Sequence, residues 1–389
     1  MKVLHVISST DPATGGPIEG VNQLGPPLAK LGVDVEIVSI DPPDAPWLAS
    51  SALPIIALGP SHLFFRYTPR LLPWLRSNAA HYDAVIVNGL WRYHSFAAWR
   101  ALRTMDTPYF VFTHGMLDPW FKRHYPLKHL KKWAYWPWAE YRVLRDARAV
   151  IFTCEEERLL ARESFWLYQA NEAVTSYGTS NPPLVGAQAF LQAHPHLQDK
   201  RIVLFLSRIH QKKGCDLLLD AFSQVAGSDG RLHLVMAGPD QTGWAASLRA
   251  QAQRLGIDRC ITWAGMLQDE MKWSAFQAAE VFCLPSHSEN FGIVVAEALG
   301  CGKPVLISNK VNIWREIEAD AAGFVDHDTV DGTVRNLRRW LALSAGGYTD
   351  MSARAQQCFA SRFHIQRAAE RLVEIIEEHA SRPAEDGAA

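Results

Sequence analysis

No run of about 18 apolar residues occurs anywhere in the 389-residue sequence, so a membrane-spanning helix is not expected. Even the most apolar loop-like stretch, 47–59, is broken by Ser50, Ser51 and Pro54. The first residues, Met1-Lys2-Val3-Leu4-His5-Val6-Ile7, lack the charged start, long apolar core and small-residue cleavage site of a signal peptide and read as a short strand. An excess of charge of either sign is also lacking: 39 Lys+Arg stand against 40 Asp+Glu, a net charge of −1. That balance argues against a polybasic scaffold, and no nucleic-acid partner is expected. The six cysteines, at 154, 215, 260, 283, 301 and 358, form no C-x-x-C or other metal-ligand spacing. Such thiols suit a reducing compartment, and the expected location is cytoplasmic. No repeat of fixed period is present, and Gly15-Gly16-Pro17-Ile18-Glu19-Gly20 is not the dinucleotide-binding G-x-G-x-x-G.

What the chain does have is apolar material, 48% of residues against 20% charged, and a length suited to two domains rather than one core. Short β-branched runs alternate with amphipathic stretches, the pattern of parallel sheets covered by helices. Strands are predicted at 2–9, 34–40, 84–88, 109–113 and 149–153, then at 201–207, 233–238, 260–264, 281–285, 304–308 and 323–325. The fold class is therefore α/β, with two Rossmann-like doubly wound domains facing a cleft that is the default ligand site. Gly178-Thr179-Ser180-Asn181-Pro182-Pro183 is a cluster of turn formers. It sets the expected domains at 1–185 and 186–364, followed by a helix at 365–380 returning to the first domain and a disordered tail at 381–389.

Three loops carry candidate chemistry. After the first strand, Gly15 and Gly16 let a backbone approach a ligand, and Pro17 suits a helix start whose amides favour an anion. The alternative is a tight strand-to-helix turn. Gly25-Pro26-Pro27 follows closely, so this helix is expected to be short or kinked. After the first strand of the second half, Arg208 offers a planar fork of donors and Lys213 a compact cation, together able to neutralise a diphosphate. The third loop runs His287-Ser288-Glu289-Asn290-Phe291-Gly292 into a helix bearing Glu297. Eight positions separate the two glutamates, about 12 Å on an ideal helix axis, against the roughly 5–9.5 Å of a glycosidase pair. They read as hydroxyl acceptors at two ends of an extended ligand, or else as a cap and a solvated helix position.

The combination of Gly15-Gly16, Arg208…Lys213-Gly214 and Glu289-Asn290-Phe291-Gly292…Glu297-Ala298 resembles the family 4 retaining glycosyltransferases of GT-B architecture over nearly the whole chain. The resemblance implies a hexosyltransferase that moves a sugar from a UDP- or GDP-linked donor to a glycan or lipid-linked acceptor, plausibly in exopolysaccharide or lipopolysaccharide assembly. It makes the first domain the acceptor side and the second the nucleotide-sugar side. Glu289 and the Asn290, Phe291 and Gly292 backbone would hold the donor sugar, Glu297 the ribose, Arg208 and Lys213 the diphosphate with amides near Gly15 and Gly16. His114 would lie against the transferred sugar, and Gly265-Met266 would read the base. The nucleotide sugar is a co-substrate, so no cofactor is implied. No essential metal is expected either, because Asp326-His327-Asp328 reads better as a turn and helix cap.

On the acceptor side, Trp91, Arg92, Tyr93, His94 and Asp118 follow first-domain strands. Next, the segment 122–133 interleaves basic residues with Trp and Leu, which suits peripheral contact with an anionic membrane or a solvated basic helix. Two other functions compete with glycosyl transfer. An NAD-dependent sugar-nucleotide oxidoreductase would use Asp41 at the end of the second strand, and a non-catalytic nucleotide-sugar-binding protein would share the cleft without turnover.

Overall fold

Apolar runs of four to six residues, such as Val281–Leu284 and Leu232–Ala237, are buried along their whole length, as strands covered on both faces must be. The computed structural model describes residues 1–62, 65–120, 122 and 126–380. The chain divides into two units, Met1–Gly178 with the C-terminal residues from Ile365, and Thr179–His364. Residues 123–125, which belong to the basic segment noted above, and the expected tail at 381–389 lie outside the described residues.

The first unit is built on β1 (Lys2–Ile7), β2 (Asp34–Ser39), β3 (Ile55–Ala57), β4 (Ala84–Asn88), β5 (Tyr109–Phe112), β6 (Ala149–Phe152) and β7 (Glu172–Val174). These form one parallel sheet in the order β3-β2-β1-β4-β5-β6-β7. Alternate residues point to opposite faces. Leu4, Val6, Val85, Val87, Val111 and Val150 pack with Leu71, Leu75, Ala97 and Trp99 of the helices Leu71–Asn78 and Tyr93–Leu102. Val3, Ala84, Ile86, Phe110 and Ile151 pack instead with Leu24 and Leu28 of the helix Gly16–Lys30 and Leu372, Ile375 and Ile376 of the helix Ile365–Ala380.

The helix Gly16–Lys30 is not short. It runs for 15 residues through Pro26 and Pro27. An interior proline costs roughly 3 kcal/mol, but Ile18, Val21, Leu24 and Leu28 are buried, each worth about 1.5–3 kcal/mol. Packing therefore outweighs the lost backbone bonds. The stretch 47–59, read as a loop, also holds β3, which pairs with β2 at Ile37↔Ile55.

The second unit carries β8 (Arg201–Leu206), β9 (Leu232–Ala237), β10 (Ile261–Gly265), β11 (Val281–Leu284), β12 (Val305–Ser308) and β13 (Gly323–Asp326). Its parallel order is β10-β9-β8-β11-β12-β13. In each sheet the strand order reverses at one place, between β1 and β4 and between β8 and β11. Ligands of such sheets bind outside the strand ends at that point. Among the described residues, no helix is long and apolar enough to cross a membrane.

Candidate active site

In the second unit, the loops after β8 and β11 meet. Lys213 ends a short turn, Gln211–Lys213, and is followed by Gly214 at φ 65°. A Cβ at Gly214 would stand 2.2 Å from the Pro285 carbonyl oxygen, so only glycine lets the two loops approach this closely. Across that contact, the Lys213 Nζ forms an ion pair with Glu289 Oε2. Glu289 is fixed by its backbone, which donates to Lys310 O at 2.8 Å and accepts from Asn312 N at 3.0 Å. Lys213 is only 8% exposed. Burial, with Arg208 and Lys212 nearby, lowers its pKa to about 8, while the carboxylate it touches acts in the opposite direction. Arg208 is exposed and makes no ion pair among the described residues.

The helix Ile293–Gly300 starts from Gly292 at φ 75°. A Cβ there would press on Glu289 Cγ at 3.2 Å, so this glycine keeps room for the carboxylate. Phe291 is buried, with its ring 5.6 Å from that of Phe363, which anchors the loop from below. The Asn290 backbone lies between these two anchors. Glu297, one turn into the helix, is 7% exposed and bonded to Lys272 Nζ at 2.6 Å. Burial raises its pKa and Lys272 restrains the rise. Thus the two glutamates have separate cationic partners. Lys272, on the helix Asp269–Ala278, had no motif to mark it. Gly265 (φ 68°) ends β10 and the exposed Met266 follows it; the Gly265 carbonyl accepts from Gly238 N at 2.7 Å.

Asp326 is paired with Arg335 and Asp328 with His287, at 2.6 and 2.8 Å. Among the described residues no cluster of three or more His, Cys, Asp or Glu side chains is placed to hold a metal.

The first unit arranges neutral groups. His114, at φ 51° after β5, places Nε2 3.1 Å from Asn88 Oδ1 and Nδ1 against the Tyr177 hydroxyl. Asn88 Nδ2 lies 3.2 Å from the Ile86 carbonyl and 3.1 Å from His5 Nδ1. A carbonyl only accepts, so the amide orientation is set: Oδ1 accepts from His114 Nε2–H, and Tyr177 donates to His114 Nδ1. Burial, with the neighbouring His5 and His94, pushes His114 down to about 3. His5 and His94 are both lowered by burial to about 4. The adjoining Gly115 is held by Glu157, which accepts from Gly115 N and Thr113 Oγ1 at 2.6 Å each and from Thr153 N at 2.7 Å. His5, Tyr177 and Glu157 carried no sequence signal, since Asn88, His114 and Gly115, which they respectively touch, lie 83, 63 and 42 positions away.

At the start of the first unit, Gly15 (φ 76°) begins the helix Gly16–Lys30. A Cβ on Gly16 would meet no atom within 4 Å, so this chain's own packing does not account for the missing side chain there. Of the residues expected on the acceptor side, Tyr93 and His94 are buried, with His94 Nε2 2.9 Å from Asn88 O. Trp91 donates its backbone N–H to Glu140 Oε1 at 2.8 Å and its indole N–H to Met116 O at 3.1 Å. Arg92 is exposed, and Asp118 accepts from Trp120 N at 2.7 Å in a turn. Asp41 is fully buried and accepts from Ser9 and Thr10, leaving no carboxylate presented to a ribose as the oxidoreductase reading required. An open depression of about 690 Å³ beside β7 contains none of the expected site residues, and its arginines are already paired with glutamates.

Known proteins share this fold. A family model described as "Glycosyl transferases group 1" matches residues 187–357, and one described as "Glycosyl transferase 4-like domain" matches residues 15–178. The chain is 32% identical over 123 residues to a mannosylfructose-phosphate synthase of Agrobacterium fabrum, covering 30% of this chain and 27% of that protein. It is 29% identical over 189 residues to a D-inositol 3-phosphate glycosyltransferase of Saccharomonospora viridis, covering 46% and 43%. These matches therefore span less than half the length of either relative. Among solved structures, HepE of Anabaena in complex with UDP superposes with a TM-score of 0.77 at 17% identity, covering 97% of this chain and 100% of that one. The two matched models between them account for both units, and the chain belongs to the family 4 glycosyltransferases of GT-B architecture.

Proposed function

We propose that this glycosyltransferase moves a sugar from a UDP- or GDP-linked donor to a glycan or lipid-linked acceptor, with retention at the anomeric carbon, in surface polysaccharide assembly. The observation that carries the reading is the contact of buried Lys213 with Glu289, beside exposed Arg208, at the reversal point of the second sheet. A diphosphate would take Lys213 and Arg208 as counter-charges, releasing Glu289 to accept sugar hydroxyls. Lys272 and Glu297 would divide in the same way at the ribose. HepE is described as solved with UDP and with UDP-glucose, which supports a nucleotide-sugar donor.

As the sugar–phosphate bond breaks, negative charge develops on the departing diphosphate, and positioned cations lower that barrier. The transferred sugar gains positive character, and the neutral His114 opposes it less than an imidazolium would. No protein base is required if the leaving phosphate accepts the proton of the incoming hydroxyl. Gly16, with open space at its α-carbon, suits close approach of the phosphates, and Gly265-Met266 suits backbone reading of the base. No metal and no cofactor enter this scheme.

Melting temperature measured against a panel of nucleoside mono- and diphosphates tests the donor. The expected result is stabilisation by one diphosphate, lost in Lys213→Ala, followed by consumption of the matching sugar nucleotide with the product anomer read by NMR. No shift with any nucleotide and no donor consumed would sink the reading. An inverted product would remove retention alone.

A further inference from the structure

The helix Pro126–Tyr135 is amphipathic, yet none of its residues is buried. Leu127, Leu130 and Ala134 follow the i, i+3, i+7 spacing of one face, and that face packs into none of the core clusters described in the first unit. Leu127 is 78% exposed and Leu130 62%. Trp133 extends the face to Trp166, with ring centres 6.2 Å apart. Trp138, on the following turn Trp136–Trp138, is 70% exposed. An apolar patch of this kind marks an interaction site.

Charge identifies the occupant. The helix carries no acidic residue and exposes Lys128 and Lys131, while Lys132 is half-buried with its ammonium 4.3 Å over the Trp91 ring. Arg142 lies 5.9 Å from the Trp138 ring, and the nearby Glu140 is fully buried. Lysines beside exposed leucines and indoles match the two layers of a membrane surface, anionic headgroups and the acyl boundary beneath them.

We propose that the first unit docks on an anionic phospholipid membrane through the helix Pro126–Tyr135, inserting Leu127, Leu130 and the exposed indoles while Lys128 and Lys131 contact headgroups. This adds a partner to the function proposed above and rests on it only for the purpose of docking, delivery to a lipid-linked acceptor. Vesicle binding is measured without donor, so either idea can fail alone.

The test is co-sedimentation of the full chain with phosphatidylcholine vesicles containing roughly 30% phosphatidylglycerol or none. Binding about tenfold stronger to the anionic vesicles, and weakened by added salt, is expected. The double variant Leu127→Glu/Leu130→Glu should keep the wild-type melting temperature, because neither side chain is buried, and should lose about tenfold or more of vesicle binding. Lys128→Glu/Lys131→Glu should do the same on anionic vesicles only. The proposal is overturned if wild type binds neither vesicle, if salt has no effect, or if the leucine variant binds as wild type does. Self-association abolished by that variant, with no vesicle binding by wild type, would assign the patch to a second copy instead.

Discussion

The two units share a parallel sheet with one reversal of strand order, yet they treat polar side chains at the strand ends in opposite ways. The first gathers His5, His94, His114 and Asn88, and burial leaves all three imidazoles neutral, lowered to about 3 or 4. The second gathers Arg208, Lys213 and Lys272 with Glu289 and Glu297, and its buried charges survive because they are paired. Desolvation acts in both places; the presence of a counter-charge decides whether a group discharges or remains ionic. The shared architecture is therefore silent about chemistry, and the loops determine it.

The sharpest break in that comparison removes one charged group of the second unit. Glu289→Ala or Arg208→Ala should reduce transfer by roughly 10²–10³-fold with the fold intact, as expected for groups acting on developing charge. Turnover at the wild-type level in either variant would remove that residue from the mechanism. The Lys213 pKa of about 8 adds a pH signature. Since the cation is the useful form, kcat/KM should fall as pH rises through this region. Bound diphosphate favours the cation, so the same limb in kcat should lie at higher pH. The neutral histidines of the first unit should add no inflection between pH 5 and 7, where an ordinary histidine would titrate.

A smaller effect concerns a buried carboxyl of the first unit. Glu140 is fully buried, its Oε2 has no hydrogen-bond partner among the described residues, and burial raises its pKa to about 7. A raised acid pKa means the folded state prefers the proton more than the unfolded chain does. Stability from this group is thus fully present below the unfolded value near 4.5 and is lost as pH rises through about 7. Glu140→Gln should remove that loss, gaining on the order of 1–3 kcal/mol at pH 8 relative to pH 5. Urea melts at the two pH values decide it, and parallel pH dependence in both proteins would show that Glu140 is already ionised.

How much of this was legible follows from distance along the chain. The long central strands announce themselves as continuous apolar runs, and two parallel sheets follow from their alternation with helices. Strands β3 and β7, three residues each at the sheet edges, lack the length to make a pattern. Glu289 and Glu297 were legible because one loop and one helix hold both. Their cations were not equally so: Lys213 sits in a recognisable loop, whereas Lys272 reaches Glu297 from 25 positions away with nothing local to mark it. The partners of His114 are further still, Tyr177 by 63 positions and Asn88 by 26. The expected acceptor residues Tyr93 and His94 illustrate the converse, since polar side chains after a strand look available in sequence but are turned into the packing.

The mildest intervention tests whether the first unit works by orientation rather than charge. Tyr177 donates to His114 Nδ1, which leaves the proton on Nε2 facing Asn88. Tyr177→Phe keeps the ring that packs 5.7 Å from Phe112 and deletes only the hydroxyl. A net hydrogen bond of this type is worth about 0.5–1.5 kcal/mol, and its loss releases one restraint on the imidazole without altering the charge of the site. The expected outcome is a fall in kcat of roughly threefold to tenfold, with the Kd for nucleoside diphosphate little changed, since the cations proposed to hold it, Lys213 and Arg208, lie in the second unit. Asn88→Ala, which frees Nε2, should act in the same direction. If Tyr177→Phe instead weakens diphosphate binding and leaves kcat alone, the division between a neutral orienting unit and a charged binding unit is wrong.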